Sequence, residues 1–123
     1  IMMESEFAKL AAKRANKEDI KNIEKCFEEM KNAIDLSTFV IEDLNFHIAI
    51  AEASHNKLMN SLMKIFGELL HDETHKIIEF SGIIHDEILE ISSEILKAIQ
   101  KGNSKLAEEK MRKHISIVDK YSK

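Results

Sequence analysis

The chain lacks most of the residues that interrupt regular structure: it has no proline, three glycines and one cysteine in 123 residues. Because proline and glycine build most tight turns, their scarcity argues against hairpins and favours long helices. The single cysteine, Cys26, excludes an internal disulfide and fits a reducing compartment. No apolar run approaches the roughly 20 residues that a membrane span needs. We therefore expect a cytoplasmic protein without membrane contact, folded as a single domain over residues 1–123.

Strong positive charge is also lacking. The net charge is −4, and the Lys and Arg residues are scattered along the chain instead of forming one stripe. This distribution argues against a nucleic-acid-binding surface. The chain begins with Ile1-Met2-Met3-Glu4, which has neither a basic stretch nor the apolar stretch of a signal peptide. A first residue other than Met leads us to expect a fragment of a longer chain.

What the sequence does contain is helical periodicity with capping residues. We predict an all-α fold, an antiparallel bundle of six or seven helices, in which short connections place sequential helices side by side. In the fourth helix, an apolar stripe is predicted to be buried: Leu58, Leu62, Ile65, Phe66 and Leu69. The expected helix starts are Asn16, then Asp35, Ser37 or Thr38, then Asn56, and finally Asn103 or Ser104; Gly102 is the expected stop after the fifth helix.

Asp43 and His47 stand four residues apart on the predicted third helix. Side chains at this spacing lie on one helix face, about one turn from each other. Phe39, Phe46 and Ile50 share that face, so both ionisable groups point toward the apolar side. Burying such groups is costly unless each finds a partner. The sequence therefore predicts that other helices supply partners for this pair.

Candidate partners occur on the last two predicted helices. His114 falls in the middle of the apolar arc of the last helix, and Ser92 and His85 fall inside the apolar arc of the helix before it. Inward polar residues on three helices indicate a shared polar site in the core. His55, by contrast, lies at a helix junction, and His71 and His75 fall on a polar face, so these three are expected at the surface.

Two interpretations of the inward cluster remain open. A carboxylate with converging imidazoles suits a divalent transition metal such as zinc, nickel, manganese or iron. The same residues could instead form a buried hydrogen-bond network in which Asp43 orients His47 and His114 without a metal. No metalloprotease helix, phosphate-binding glycine loop or nucleophile elbow is present. We therefore do not expect an enzyme.

Residues 43–56 carry a family resemblance. They read D-L-N-F-H-I-A-I-A-E-A-S-H-N and resemble the D-x-x-F-H-x-x-[IL]-A-x-A-S-x-N signature of the FadR C-terminal (FCD) domain. Residues 95–115 are similar to the family's I-L-x-A-I-x-x-G-D…A…M-x-x-H-[IL], and residues 4–15 to its first helix, E-x-x-x-A-x-L-A-A-x-R-A. The resemblance covers nearly the whole chain and identifies it as an effector domain of GntR-type bacterial transcription regulators.

This resemblance implies a normally dimeric bundle with an internal ligand pocket, whose floor in many members is a metal held by one Asp and three His. Asp43, His47 and His114 match three of these positions, and Ser92 stands where the family usually has the third histidine. His85 lies two turns earlier, roughly 10 Å along the axis, too far to replace that ligand without a helix shift. The family's DNA-binding winged helix would precede this chain, so contact with DNA is expected only through that absent part.

The resulting expectation is an effector-sensing and dimerisation domain. A small effector, expected to be a carboxylate, would bind in the bundle near Ser92 and His85, with a zinc, nickel or manganese ion held by Asp43, His47 and His114. Two alternatives stay open at this point: a helical-bundle metalloenzyme, and a plain dimerisation bundle without ligand.

Overall fold

The computed structural model describes the backbone of residues 2–58, 60–65 and 82–121, and the side chains of 4–58, 60–65 and 85–117. Helical backbone dominates these ranges, with no strand in any of them, so the predicted all-α class is confirmed. Residues 57–58 and 60–65 are helical as well. The five helices with assigned bounds are α1 (Met2–Arg14), α2 (Lys17–Lys31), α3 (Leu36–Ala53), α4 (Gly82–Gln100) and α5 (Ser104–Tyr121).

Local capping explains most helix boundaries. Asn16 and Asp19 form a reciprocal capping box at the start of α2, and the Asp35 side chain accepts a hydrogen bond from the Thr38 amide at the start of α3. Asn103 caps α5 through the Leu106 amide. These interactions satisfy amides that have no partner within the helix. The predicted caps at Asn16, Asp35 and Asn103 are confirmed.

The end of α4 is a Schellman turn. The Gly102 amide donates to the Ile99 carbonyl, the Asn103 amide donates to the Ala98 carbonyl, and Gly102 has a φ of 68°. Residues with a Cβ rarely adopt this left-handed conformation, so glycine fits here. The predicted stop at Gly102 is confirmed.

Packing brings the ends of the chain together. The first and last helices, α1 and α5, pack against each other, and α1 also contacts α3 and α4. The remaining helix pairs are α2 with α3, α4 with α5, and α2 with α4. The expectation that every sequential pair packs side by side is wrong for α1 and α2, because α1 turns its buried face, with Phe7, Ala8 and Ala11, toward other helices. This packing places α1 beside the inward-facing residues of α3 and α5.

The predicted stripe of the fourth helix differs from the structure. Leu58 is 71% exposed and Ile65 is 65% exposed, whereas Met63 is fully buried. The helical stretch therefore turns the Met63 side inward, so burial of Leu58 and Ile65 within this chain was predicted wrongly. Phe66 and Leu69 lie outside the described residues.

The described helices also bear on membrane insertion. None of the helices in the described ranges combines the length and the apolar character that crossing a bilayer requires.

Candidate metal site

Three helices bring four ionisable side chains together in the core. Helix α3 carries Asp43 and His47 on its buried face, α5 carries His114, and α1 carries Glu4. Each residue is 5% or 6% exposed. The neighbouring apolar residues of α3 are almost fully buried, and each such side chain contributes about 1.5–3 kcal/mol to folding. Their burial holds α3 in the rotation that keeps Asp43 and His47 inside.

His47 lies at the centre of this cluster. Its Nδ1 is 3.1 Å from Oε1 of Glu4, and its Nε2 is 3.4 Å from Oδ1 of Asp43. The ring centroids of His47 and His114 are 4.6 Å apart, with their planes tilted by 50°. The two ring nitrogens of His47 thus face two different carboxylates, one on α1 and one on its own helix.

The electrostatics of the cluster follow from this arrangement. Burial by itself would lower the pKa of His47, but attraction to Glu4 and then to Asp43 outweighs burial and raises that pKa to about 10. Burial would likewise raise the pKa of Glu4, yet the interaction with His47 lowers it below its ordinary value. Burial, followed by repulsion from His47, lowers the pKa of His114 to about 4. Without a metal, one imidazolium therefore stands between two carboxylates and beside a neutral histidine.

The donor set fits a divalent metal. One donor atom each from Asp43, His47 and His114 lies within 4.8 Å of the other two, and all three residues are buried. In a tetrahedral site with bonds of about 2.1 Å, neighbouring donors lie roughly 3.4 Å apart. The distance between His47 Nε2 and Asp43 Oδ1, 3.4 Å, matches that spacing.

His114 supplies a second observation in favour of this fit. Both of its ring nitrogens are buried without a hydrogen-bond partner among the described residues. Leaving a buried polar group unpaired costs about 1–3 kcal/mol, so such groups in a native core indicate a further partner. The residues present therefore fit a metal that Asp43, His47 and His114 would hold.

The two candidate effector contacts lie in different surroundings. Ser92 is fully buried on α4, and its Oγ has no hydrogen-bond partner within the described part of the chain. His85 is half-buried near the start of α4, where its ring packs on Phe39 at a centroid distance of 4.2 Å. Its Nδ1 lies 3.2 Å from Oδ1 of Asp86. His85 is therefore engaged in local contacts, and its role as an effector contact stays a prediction.

The remaining histidines do not join the cluster where they are described. His55 is exposed at the end of α3, with a left-handed φ of 54°, and its Nε2 lies 2.7 Å from Oδ2 of Asp19. His71 and His75 fall outside the described residues. The predicted surface position is confirmed for His55.

Two grooves border α4 on the surface. One of about 280 Å³ is lined largely by acidic side chains of α4, and another of about 420 Å³ lies between α2 and α4. Neither groove is lined by Asp43, His47 or His114. The case for ligand binding therefore depends on the buried donor atoms and not on these grooves.

Glu4 is the member of the buried cluster that was not predicted as a site residue from the sequence. It precedes Phe7, Ala8 and Ala11 by three, four and seven residues, the spacing of one helix face. All three are buried. The face comparison that singled out Asp43 and His114 would have found Glu4 as an acid on the buried side of α1.

We expect the stability of the metal-free domain to peak near pH 6.5. Because the pKa of His47 is raised, this residue contributes stability that is fully present below pH 6.5 and is lost as the pH rises through about 10. The lowered pKa of His114 gives stability that is fully present above pH 6.5 and is lost as the pH falls through about 4. Glu4, whose pKa is also lowered, loses its contribution to stability as the pH falls below its ordinary pKa of 4.5. Urea unfolding in the presence of a chelator across this range measures the profile.

A matched substitution tests the alkaline side of that profile. Replacing His47 with Gln should remove the decrease in the free energy of unfolding above neutral pH. Replacing the exposed His55 with Gln should leave that decrease unchanged. If the urea midpoint of the unsubstituted domain stays constant from neutral to strongly alkaline pH, the role assigned to His47 is contradicted.

Fold and site together define a helical bundle with a buried carboxylate–imidazole cluster in its core. A family model described as the FCD domain matches residues 1–116. The chain therefore belongs to the FCD domain family, found in GntR-type transcription regulators.

Similar proteins agree with this assignment. The chain is 32% identical to the HTH-type transcriptional regulator LutR of Bacillus subtilis over 96% of its length, and 30% identical to a putative L-lactate dehydrogenase operon regulatory protein of Escherichia coli over 88%. A solved structure of a Streptococcus agalactiae GntR protein superposes with a TM-score of 0.80 at 26% identity, covering 95% of the chain. The matches confirm a regulator-type domain and not an enzyme.

The chain spans about half the length of these proteins. It covers 56% of the B. subtilis protein, 43% of the E. coli protein and 53% of the S. agalactiae chain.

Proposed function

We propose that this domain senses a small carboxylate effector through a divalent metal held by Asp43, His47 and His114. The observation that carries the proposal is the buried cluster of three donor atoms within 4.8 Å of one another. The unpartnered ring nitrogens of His114 support it. Zinc, nickel and manganese are the candidate ions, because nitrogen and carboxylate donors suit all three.

The donor count bears on the effector. Three protein ligands leave coordination positions open to a carboxylate oxygen of the effector. When bound, the metal would supply the positive charge that holds this carboxylate. The E. coli relative is named as a regulator of an L-lactate dehydrogenase operon. A 2-hydroxy acid such as L-lactate, which offers a carboxylate and a hydroxyl oxygen, is therefore a suitable first probe.

The role of the protein's own residues follows from their helices. Asp43 and His47 on α3 and His114 on α5 would bind the metal from two sides, and buried Ser92 on α4 would donate a hydrogen bond to water or effector. A ligand that contacts α3, α4 and α5 together would favour one arrangement of these helices over another. Such differential binding is what an allosteric signal requires.

The wider setting of the domain is part of the proposal. We infer a cytoplasmic homodimer whose DNA-binding winged helix lies in the remainder of a longer regulator, since the chain matches about half of each relative. Effector binding would bias the dimer geometry and thereby the placement of the DNA-binding parts.

Calorimetric titration with zinc, nickel and manganese tests this function. We expect the native domain to bind at least one of these ions with one site per chain. His114→Ala should lose that binding because it removes one of three ligands. The exposed His55→Ala is the matched control and should bind like the native protein. L-lactate titrated into the metal-loaded domain should then bind, and it should not bind the metal-free domain.

Two outcomes would overturn the proposal. If the native domain binds none of the three ions, the cluster is a buried hydrogen-bond network in a dimerisation bundle. If His114→Ala binds as tightly as the native domain, the metal lies elsewhere.

A further inference from the structure

The two nitrogens of the His47 ring have different surroundings. Nε2 faces Asp43 at 3.4 Å, on the side that contributes to the three-residue donor cluster. Nδ1 lies 3.1 Å from Oε1 of Glu4, close enough for an ion pair although the angle is not that of a hydrogen bond, and Glu4 is not one of the three residues in the cluster. Glu4 is almost entirely buried, so its carboxylate is placed against this ring by the packing of α1.

A metal-binding histidine must be neutral, with the proton on one nitrogen and the lone pair on the other. Which nitrogen carries the proton depends on the hydrogen bond that the other side of the ring makes. A carboxylate accepts hydrogen bonds and cannot donate them when ionised. Both ring nitrogens of His47 face a carboxylate, but Asp43 belongs to the donor cluster and would be engaged by the metal. The nitrogen beside Glu4 is therefore the one whose proton keeps a free acceptor when the metal is bound.

We propose that Glu4 is a positioning residue that holds the proton of His47 on Nδ1 and leaves Nε2 to bind the metal. This inference rests on the proposed metal-sensing function. It adds Glu4 to the three residues of the donor cluster. Glu4 acts through His47 and does not touch the ion.

Charge balance supports the same assignment. With both histidines neutral, Asp43 is the one charged ligand among the three, and a divalent ion would retain one uncompensated positive charge in the core. A buried charge without compensation is costly. The Glu4 carboxylate, on the far side of the His47 ring, supplies a second negative charge that offsets part of this cost, while the coordination positions of the ion stay open to an effector carboxylate.

The position of Glu4 in the fold adds a consequence. The three ligands come from α3 and α5, whereas Glu4 belongs to α1, which packs against both of these helices. Because Glu4 contacts the His47 ring, the orientation of His47 depends on how α1 packs against α3 and α5. The metal site is therefore coupled to the first helix of the domain.

Zinc affinity measured by competition with a chelating dye tests the role of Glu4. Loss of the outer partner of a metal-bound histidine lowers affinity by about 10-fold to 100-fold. We expect Glu4→Ala to reach the upper part of that range. Glu4→Gln keeps an oxygen that accepts the Nδ1 proton but lacks the charge, and we expect a loss of about 10-fold. Glu6→Gln, on the same helix, is the matched control and should bind zinc like the native domain.

A second measurement separates positioning from structural support. In the zinc-loaded native domain, nitrogen NMR should show His47 protonated on Nδ1 and zinc-bound through Nε2. In Glu4→Ala, the Nδ1 proton should exchange faster with solvent, because its acceptor has been removed. If Glu4→Ala does not fold, Glu4→Gln alone decides the result.

The failures of the two proposals are distinguishable. A native domain that binds no zinc overturns the metal-sensing function itself. A native domain that binds zinc while Glu4→Gln binds equally well, with unchanged nitrogen signals of His47, overturns the role of Glu4 and leaves the metal site standing.

Discussion

Replacing His47 with alanine is expected to destabilise the metal-free domain by about 3–5 kcal/mol at neutral pH, the cost of removing one partner from a buried ion cluster. The imidazolium of His47 lies between Glu4 and Asp43, at 3.1 Å and 3.4 Å. Its removal leaves two buried carboxylates close together without the positive charge between them. Urea unfolding of the native and variant domains, both with chelator, measures the difference.

Two further variants identify the cause of this loss. His47→Phe keeps a ring of similar size and should lose nearly as much stability as His47→Ala, since it also lacks the charge. His55→Ala removes an exposed histidine and should change stability by no more than about 0.5 kcal/mol. The cost of His47→Ala should shrink near pH 4, where the carboxylates take up protons. A loss that is small, or equal at both pH values, would show that the ion cluster contributes little to stability.

Replacing Ser92 with histidine is expected to tighten zinc binding by about 100-fold, or ~2.7 kcal/mol. Histidine is the residue that the FCD resemblance places at this position, and Ser92 is fully buried with an unpartnered Oγ among the described residues. A fourth protein ligand would complete the tetrahedral set that zinc prefers. It would also occupy a position otherwise open to the effector, so L-lactate should bind the loaded variant more weakly.

The cost of inserting this larger side chain should appear separately. Overpacking a filled core costs about 1–3 kcal/mol, so the metal-free variant should be less stable than the native domain while its zinc affinity rises. Ser93→His, one residue further along α4 and half-buried, is the matched control and should not gain affinity. Unchanged zinc affinity in Ser92→His would mean that Ser92 does not adjoin the donor cluster.

Local features of the sequence were sufficient for the helix boundaries. Asn16, Asp35 and Gly102 act within one turn of their own positions, through hydrogen bonds or a left-handed backbone that neighbouring residues determine. Such signals do not depend on the rest of the fold. They could therefore be predicted from residue type and spacing.

Features that depend on how the helices are arranged were harder to predict from the sequence. Periodicity gives a helix an apolar side but does not say which helix covers it, and so the pairing of α1 with α5 was not predicted. For the same reason, Leu58 and Ile65 were expected to be buried and are exposed.

The same distinction between local signals and helix arrangement applies to the candidate site. The grouping of Asp43, His47 and His114 agrees with the spacing of polar residues on apolar faces and with the family resemblance, although metal binding itself stays a prediction. The spacing of Glu4 from Phe7, Ala8 and Ala11 places it on the apolar side of α1, but spacing does not say which helix covers that side. The packing of α1 against α3 and α5 is what brings Glu4 beside His47.

The meeting of Asp43 on α3 with His114 on α5 has a consequence for chain entropy. A metal bound by Asp43 and His114 would act as a removable cross-link that closes a loop of more than half the chain. Closing a long loop restricts the unfolded ensemble, and the restriction grows slowly with loop length. Such a cross-link would resist separation of α5 from α3.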